Sequence, residues 1–480
     1  MPNHPDWIGT LKGLSIEHQD KGNTCHTLRW MKKRIVKQTY KDTSTVTKLT
    51  LIAKRVQEHR VEKLTSLMHL LNQEYLMDCY TRLKKRKAAG VDLRTVESYT
   101  EEEITKVIGE TIQKMKTRDY QPQPVRKVLI PKGKAKLRTL GIPTVTDKIV
   151  QLGMTRILNS IFDSSFLPCS FGYRVGKDAH ACLKEVNHMI MQQKVNYIVD
   201  CDIKEFFDHI DHQWMTKCIS ERISDKPFLQ LIWKFLKSGV MTEGQYRTTK
   251  EGTPQGGIIS PVLANIYMHY VLDLWMIVKE KKKMKGYIKL IRYADDFIIG
   301  VQYEEDAEIL VKDIGKRLNK FGLELSKEKT KIIEFGRFAS ENRERRRDGK
   351  PDTFDFLGFT HYCSETHDGR FMVHTKTSKK RLYEAVTTIN NFLKTNKNRY
   401  KLENIWEKIT LKLTGHYNYY GVSGNFEEIK IFYEETRRLI FKWLNRRSRK
   451  KSFSWEKFTE YISFNPLPKP RLTYAIYNTW

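Results

Sequence analysis

Cysteine is sparse, and none of it is arranged for chemistry. The seven cysteines, Cys25, Cys79, Cys169, Cys182, Cys201, Cys218 and Cys363, are scattered and form no CxxC pair. That excludes a zinc ribbon and a disulfide framework and leaves them as small apolar residues. No apolar run of about 18 residues occurs, so no membrane span is expected. Met1–Thr10 carries Asp6 and lacks the apolar core of a signal peptide, which predicts a cytoplasmic protein. No GxxxxGK[ST] stretch is present, which removes the P-loop NTPases, and no internal repeat or long low-complexity linker is seen. Acidic residues are the last shortage: 56 Asp and Glu stand against 86 Lys and Arg, a formal charge of +30. A field of that sign attracts polyanions, nucleic acid first and an anionic membrane surface second.

With 480 residues, 40% of them hydrophobic, the chain can bury a large core. The first 60 or so residues are polar and basic. From Val61, Leu64, Leu67, Met68, Leu71, Tyr75 and Leu76 recur at three- and four-residue steps, predicting an amphipathic helix that ends near Lys84-Lys85-Arg86-Lys87. Val125–Ile130 and Lys136–Leu140 predict a cationic hairpin. Asn196–Ile203 predicts a strand, and Leu290–Val301 two short strands about a turn at Ala294-Asp295. After Gly358, helices are expected over 378–393, 402–415 and 426–444. The last 120 residues hold 23 Lys/Arg and 11 Asp/Glu, a net +12, as suits a helical module that grips nucleic acid.

Two adjacent aspartates in an apolar-flanked turn conflict with folding, because like charges repel and Leu290-Ile291 and Phe297-Ile298-Ile299 draw the turn inward. A hard dication resolves the conflict, and oxygen ligands suit Mg²⁺. Two such ions, roughly 3.5–4 Å apart, can activate a hydroxyl nucleophile and steady a leaving pyrophosphate. A third carboxylate is available from Asp200 or Asp202, which share one strand face; alternation alone does not choose between them. Asp208 and Asp211 follow at a helix start, where capping explains them. Gly252-Thr253-Pro254-Gln255-Gly256-Gly257 permits a close backbone approach to a ligand or duplex.

Taken in order, Asp202-Ile203-Lys204-Glu205-Phe206-Phe207-Asp208, the glycine loop with Ser260-Pro261, and Tyr293-Ala294-Asp295-Asp296 resemble the palm motifs of reverse transcriptases. The finer resemblance is to the group II intron-encoded reverse transcriptase/maturases. It is carried by Pro131-Lys132, Leu137–Pro143, Asp147–Gln151, Ser170–Arg174, Leu263–Tyr267, Phe354–Phe359 and Gly415–Gly421, the last resembling the maturase region, domain X. It covers most of the chain, with mild departures at Thr139 and Lys148 and a larger one at the end, where the paired cysteines of the endonuclease found in many relatives are missing.

The resemblance implies an α+β protein. A right-hand polymerase fold, fingers and palm with an antiparallel palm sheet, would be followed by an α-helical thumb/maturase domain. Its boundaries would be 1–60 as an unassigned basic segment, 61–360 as fingers and palm with an N-terminal helix, 361–455 as thumb and domain X, and 456–480 as a short tail with no endonuclease domain. It implies Asp202, Asp295 and Asp296 as the metal triad, with Asp202 preferred because it lies five residues before the aromatic gate Phe207. It further implies Lys132 and Arg138 at the nucleotide triphosphate, Gln255 at the incoming nucleotide, and Lys329, with Lys327 as rival, as proton donor. Arg446, Arg447, Arg449, Lys450 and Lys451 are the candidate RNA contacts. The implied partners are group II intron RNA, an RNA template, a DNA primer or target, and deoxynucleoside triphosphates, with Mg²⁺ as cofactor. The implied function is RNA-directed DNA synthesis with splicing and retrohoming. The alternatives are an RNA-binding maturase acting mainly in splicing, and a domesticated relative serving host defence or DNA repair.

Overall fold

The computed structural model describes residues 44–59, 62–132, 136–242, 245–247, 251–253, 256–447 and 454–477. The amphipathic segment after Val61 is not one helix. Leu64 pairs with the 222–224 segment, its amide donating to the Arg222 carbonyl and its carbonyl accepting from Ser224. The amides of Leu67 and Met68 both donate to the Asp225 carboxylate, at 2.5 and 2.9 Å. Those tertiary bonds take donors that a helix would have used, and the α-helix forms only over Gln73–Thr81, capped by Asn72. The apolar spacing reports burial all the same: Leu67, Leu71, Tyr75 and Leu76 lie in the core. Within the segment that has no assignment from sequence, Ser44–Glu58 is a helix that buries Leu49 and Val56.

Among the described residues, twelve strands form three sheets. In chain order they are β1 (Val125–Lys132), β2 (Lys136–Ile142), β3 (Ser170–Phe171), β4 (Tyr197–Cys201), β5 (Val240–Thr242) and β6 (Gln245–Arg247). Then come β7 (Ile288–Tyr293), β8 (Asp296–Val301), β9 (Lys331–Glu334), β10 (Phe354–Phe356), β11 (Phe359–Glu365) and β12 (Phe371–Thr377). The antiparallel β1–β2 hairpin joins β5 and β6 in the order β2-β1-β5-β6. The central sheet runs β3-β7-β8-β4-β9, antiparallel apart from the short β3–β7 pair.

Alternation along the central strands feeds two cores. Val199, Cys201, Leu290, Phe297, Ile299 and Val301 join the larger core with helices Val145–Phe162 and Glu304–Lys320. Ile198, Ile291, Ile298 and Ile333 face the other way, onto helix Ala179–Gln192 and residues of β10 and β12. A 23-residue helical stretch, Ser260–Lys282, is apolar and long enough to cross a membrane; 78% of its apolar window is buried here as a core helix.

Residues 359–377 form the β11–β12 hairpin, and helix starts at Lys379. Helices Lys379–Asn396, Leu402–Tyr420, Phe426–Leu444 and Trp455–Phe464 then pack around a core of their own. The Gly415–Gly421 motif lies at the joint between this bundle and the sheets. The Tyr419 hydroxyl donates to the Leu357 carbonyl at 2.9 Å, and His180 donates to the Tyr419 carbonyl at 2.8 Å. His416 stacks on Phe432, and burial pushes its imidazole down to about 4. Residues 474–477 run back over the joint: Tyr474 bridges Val422, Ile476 is buried, and the Tyr477 hydroxyl accepts from the Thr375 amide.

Candidate active site

The β7–β8 hairpin closes on the pair Tyr293↔Asp296, leaving Ala294 and Asp295 as a two-residue turn. Ala294 takes φ +58°, a conformation that costs a residue with a Cβ roughly 1–2 kcal/mol. Two bonds hold it there. Its amide donates to the Phe171 carbonyl at 3.1 Å, and its carbonyl accepts from the buried Arg292 guanidinium at 2.7 Å. Asp295 is half-buried and Asp296 exposed.

The β4–β8 ladder ends at Cys201↔Phe297. One more step in that register sets Asp202 opposite Asp296, and Asp200, Asp202 and Asp296 share a face. Beyond the ladder, Ile203 bridges Leu325 and the Ser326 amide donates to the Asp202 carbonyl at 2.8 Å. This docking delivers Lys329, whose ammonium donates to the Asp202 carboxylate at 2.7 Å. Of the two lysines raised by sequence, Lys329 is the one at Asp202.

Burial pushes the Asp200 carboxyl up to about 7; the charges of Asp296 and Asp202 push the same way, against Lys331. This end of the sheet therefore concentrates carboxylates that repel one another. Among the described residues no three such side chains close into a ready-made cage. Oxygen-only donors in an open cluster suit a hard dication whose shell is completed by water and phosphate oxygens.

At Gly252 the close approach is to the protein's own backbone. Gly252 has φ +86°, and a Cβ there would sit 2.7 Å from the Asp208 carbonyl oxygen and 2.9 Å from that of Phe207. The Thr253 amide donates to the Phe207 carbonyl at 2.8 Å. Phe207, 8% exposed, is thereby backed by the loop and packs edge-on against Phe206. A Cβ on Gly256 would meet the Gly141 carbonyl and Leu140 of β2 at 2.7 Å, so the same loop abuts the hairpin. Gln255 lies outside the described residues. Asp211 caps helix His212–Ser220 by accepting from the Trp214 amide, as its position predicts.

Register places Lys132 opposite Lys136 and Arg138 opposite Ile130; the side chains of Lys132 and Arg138 lie outside the described residues. In the Asp147–Gln151 motif the side chains brace the scaffold. Asp147 accepts from Tyr120 and Thr144, and the Gln151 carbonyl oxygen accepts from the Ile258 amide. Arg446 lies over the Trp443 ring and Arg447 donates to the Tyr400 carbonyl, past the end of helix Phe426–Leu444 and not among the carboxylates. Arg449, Lys450 and Lys451 lie outside the described residues.

Comparison with known proteins finds similarity to reverse transcriptases. Residues 130–361 match the family described as reverse transcriptase (RNA-dependent DNA polymerase). The chain is 36% identical over 311 residues to the group II intron-encoded protein LtrA of Lactococcus lactis subsp. cremoris, covering 61% of this chain and 50% of LtrA. Residues 130–361 are thus similar to reverse transcriptases, and the chain is similar to a group II intron-encoded protein. It is also 35% identical over 211 residues to protein YkfC of Escherichia coli K12, covering 38% of this chain and 55% of YkfC. An uncharacterized 91 kDa protein in a cob intron of Schizosaccharomyces pombe is 30% identical over 270 residues, covering 55% of this chain and 32% of that protein. The chain thus spans about half the length of LtrA and of YkfC.

The span matched by the reverse transcriptase family contains Lys132, Arg138, Asp202, Phe207, Gln255, Asp295, Asp296 and Lys329. A reverse transcriptase domain implies the right-hand polymerase fold, and the mixed helices and sheets agree with it. Sequence reading overlooked Arg292 and Asp273, both 0% exposed as an ion pair behind the turn. The available signal was a cation inside the apolar run Leu290-Ile291-Arg292 and a carboxylate inside an apolar helix.

Proposed function

We propose that this protein is an RNA-directed DNA polymerase that acts with a group II intron RNA in splicing and retrohoming. The observation that supports it most is the β4–β8 ladder, which ends at Cys201↔Phe297 and so brings the chain into Asp202 next to the turn that carries Asp295 and Asp296. On this reading the central sheet is the palm, the β1–β2 hairpin belongs to the fingers, and the C-terminal helices are the thumb and domain X. Asp202, Asp295 and Asp296 would hold two Mg²⁺ ions, which supply charge for in-line attack of a primer 3′-hydroxyl on a nucleoside triphosphate.

The protein's own groups do the rest. Lys132 and Arg138 meet the triphosphate, and Arg138 offers it a planar fork of donors. Phe207 crowds the 2′-position of the sugar, and Gln255 contacts the incoming nucleotide. Lys329, already on Asp202, gives a proton to the departing pyrophosphate. The basic C-terminal module, with Arg446, Arg447, Arg449, Lys450 and Lys451 as its densest run, binds intron RNA through phosphates.

Primer extension on an RNA template tests the reading. Asp295→Asn and Asp296→Asn are each expected to abolish cDNA synthesis, because a ligand is lost where charge develops in the transition state. RNA affinity should remain. Full polymerase activity in Asp295→Asn would end the assignment.

A further inference from the structure

Arg292 is a charged side chain placed where an apolar one would pack. It is 0% exposed, and all five of its N–H donors are used. Nε and Nη2 donate to the two oxygens of Asp273 at 2.7 and 2.6 Å. Nη1 donates to Asn265 Oδ1 at 3.1 Å and to the Ala294 carbonyl at 2.7 Å, and Nη2 donates also to Ser170 Oγ at 2.7 Å. Asn265 in turn donates to the Gly172 carbonyl at 3.0 Å. The network therefore joins β3, the Ser260–Lys282 helix and the aspartate turn.

Two features argue that the arrangement serves placement more than stability. A buried ion pair is often no more stabilising than an apolar packing of the same volume. And the helix departs from α-geometry at this point: His269–Asp273 is a π-helical turn, a conformation that is uncommon and recurs at functional sites. That turn ends on Asp273, whose two carboxylate oxygens hold one edge of the guanidinium. Because the guanidinium is planar, fixing Nε and Nη2 on Asp273 also fixes the direction in which Nη1 points. It points at the carbonyl of Ala294, one residue before Asp295.

We propose that Arg292, oriented by Asp273, is a positioning residue that sets where the turn carries Asp295 and Asp296. The role rests on the polymerase reading of those aspartates. A lysine at this position keeps the charge and can meet Asp273, but a single ammonium lacks the rigid fork that reaches Ala294 at the same time.

The test is Mn²⁺ binding to the full chain, followed by electron paramagnetic resonance well below the melting temperature, with single-turnover primer extension alongside. Arg292→Lys is expected to raise the half-saturating Mn²⁺ concentration at least tenfold, and to lower the rate at saturating nucleotide while KM for nucleotide changes little. Ser170→Ala removes one bond from the same guanidinium without touching the turn, and it should stay within twofold of wild type in metal binding. If Arg292→Lys does not fold, Asp273→Asn, which keeps the shape of the acceptor, carries the same expectation.

Asp295→Asn separates the positioning role from the metal site itself. If it abolishes Mn²⁺ binding while folded Arg292→Lys or Asp273→Asn binds and reacts as wild type does, the positioning role is overturned. If Asp295→Asn leaves Mn²⁺ binding intact, the metal reading of the site fails, and this inference with it.

Discussion

Replacing Gly252 by alanine tests how the glycine loop supports Phe207. Alanine at φ +86° costs roughly 1–2 kcal/mol for the left-handed conformation. The methyl group would also stand 2.7 Å from the Asp208 carbonyl oxygen, and overpacking of this kind costs typically 1–3 kcal/mol. The sum, about 2–5 kcal/mol, is less than most domains have to lose, about 5–15 kcal/mol, so the variant should fold with a lowered melting temperature. Ordinary contact needs about 3.5 Å, so the Phe206–Asp208 turn must retreat by somewhat under 1 Å. Misplacement on that scale can cost on the order of a hundredfold in rate. Deoxynucleotide kcat/KM should therefore fall by about ten- to a hundredfold, and discrimination against ribonucleotides should weaken, both read by primer extension with the two nucleotide types. Gly415→Ala is the control. It lies in helix Leu402–Tyr420 with open space at its Cβ, and it should gain about 0.4–1 kcal/mol. A Gly252→Ala protein with wild-type stability and wild-type nucleotide discrimination would refute the reasoning.

Phe207→Ala should lower the kcat/KM ratio of deoxy- over ribonucleotides; a ratio protects the measurement from the about 3–5 kcal/mol that loss of a buried phenylalanine costs, and an unchanged ratio removes the gate. Lys329→Ala should slow nucleotide addition while leaving the melting temperature almost unmoved, because the lysine is 62% exposed and such pairs contribute about 0–1 kcal/mol; an equal loss in Lys327→Ala would deny Lys329 its special place. RNA affinity should fall steeply with salt, with a log–log slope near −0.7 per phosphate contact on single strands, and a flat response in a filter-binding titration would contradict an electrostatic interface.

Legibility from sequence followed the range of the interactions. The Leu290–Val301 hairpin was readable because alternation and a charged turn are local signals, and strands of 288–293 and 296–301 flank that turn. The same holds for the helices near 378–393, 402–415 and 426–444, whose observed bounds are 379–396, 402–420 and 426–444. The segment after Val61 misled because apolar spacing records what is buried, whereas the Asp225 carboxylate 158 residues away decides which backbone bonds form. The β11–β12 hairpin went unread because its strands mix polar and apolar residues on half-buried faces. Gly252 and Gly256 were readable as sites of close approach, but not what approached them, since their neighbours Asp208 and Gly141 are distant in sequence. Arg292 was invisible as an organiser for the same reason: its partners Ser170, Asn265 and Asp273 come from two other elements.

The contact of Tyr477 with Thr375 joins residues 102 apart in sequence. Together with the bond of Tyr419 to Leu357, it closes a loop that holds the helical bundle against the sheets. The entropy of closing such a loop grows only as the logarithm of its length. Lengthening or shortening the bundle therefore barely alters the cost of holding its two ends against the sheets. Insertion within the bundle is thereby tolerated about as readily as substitution.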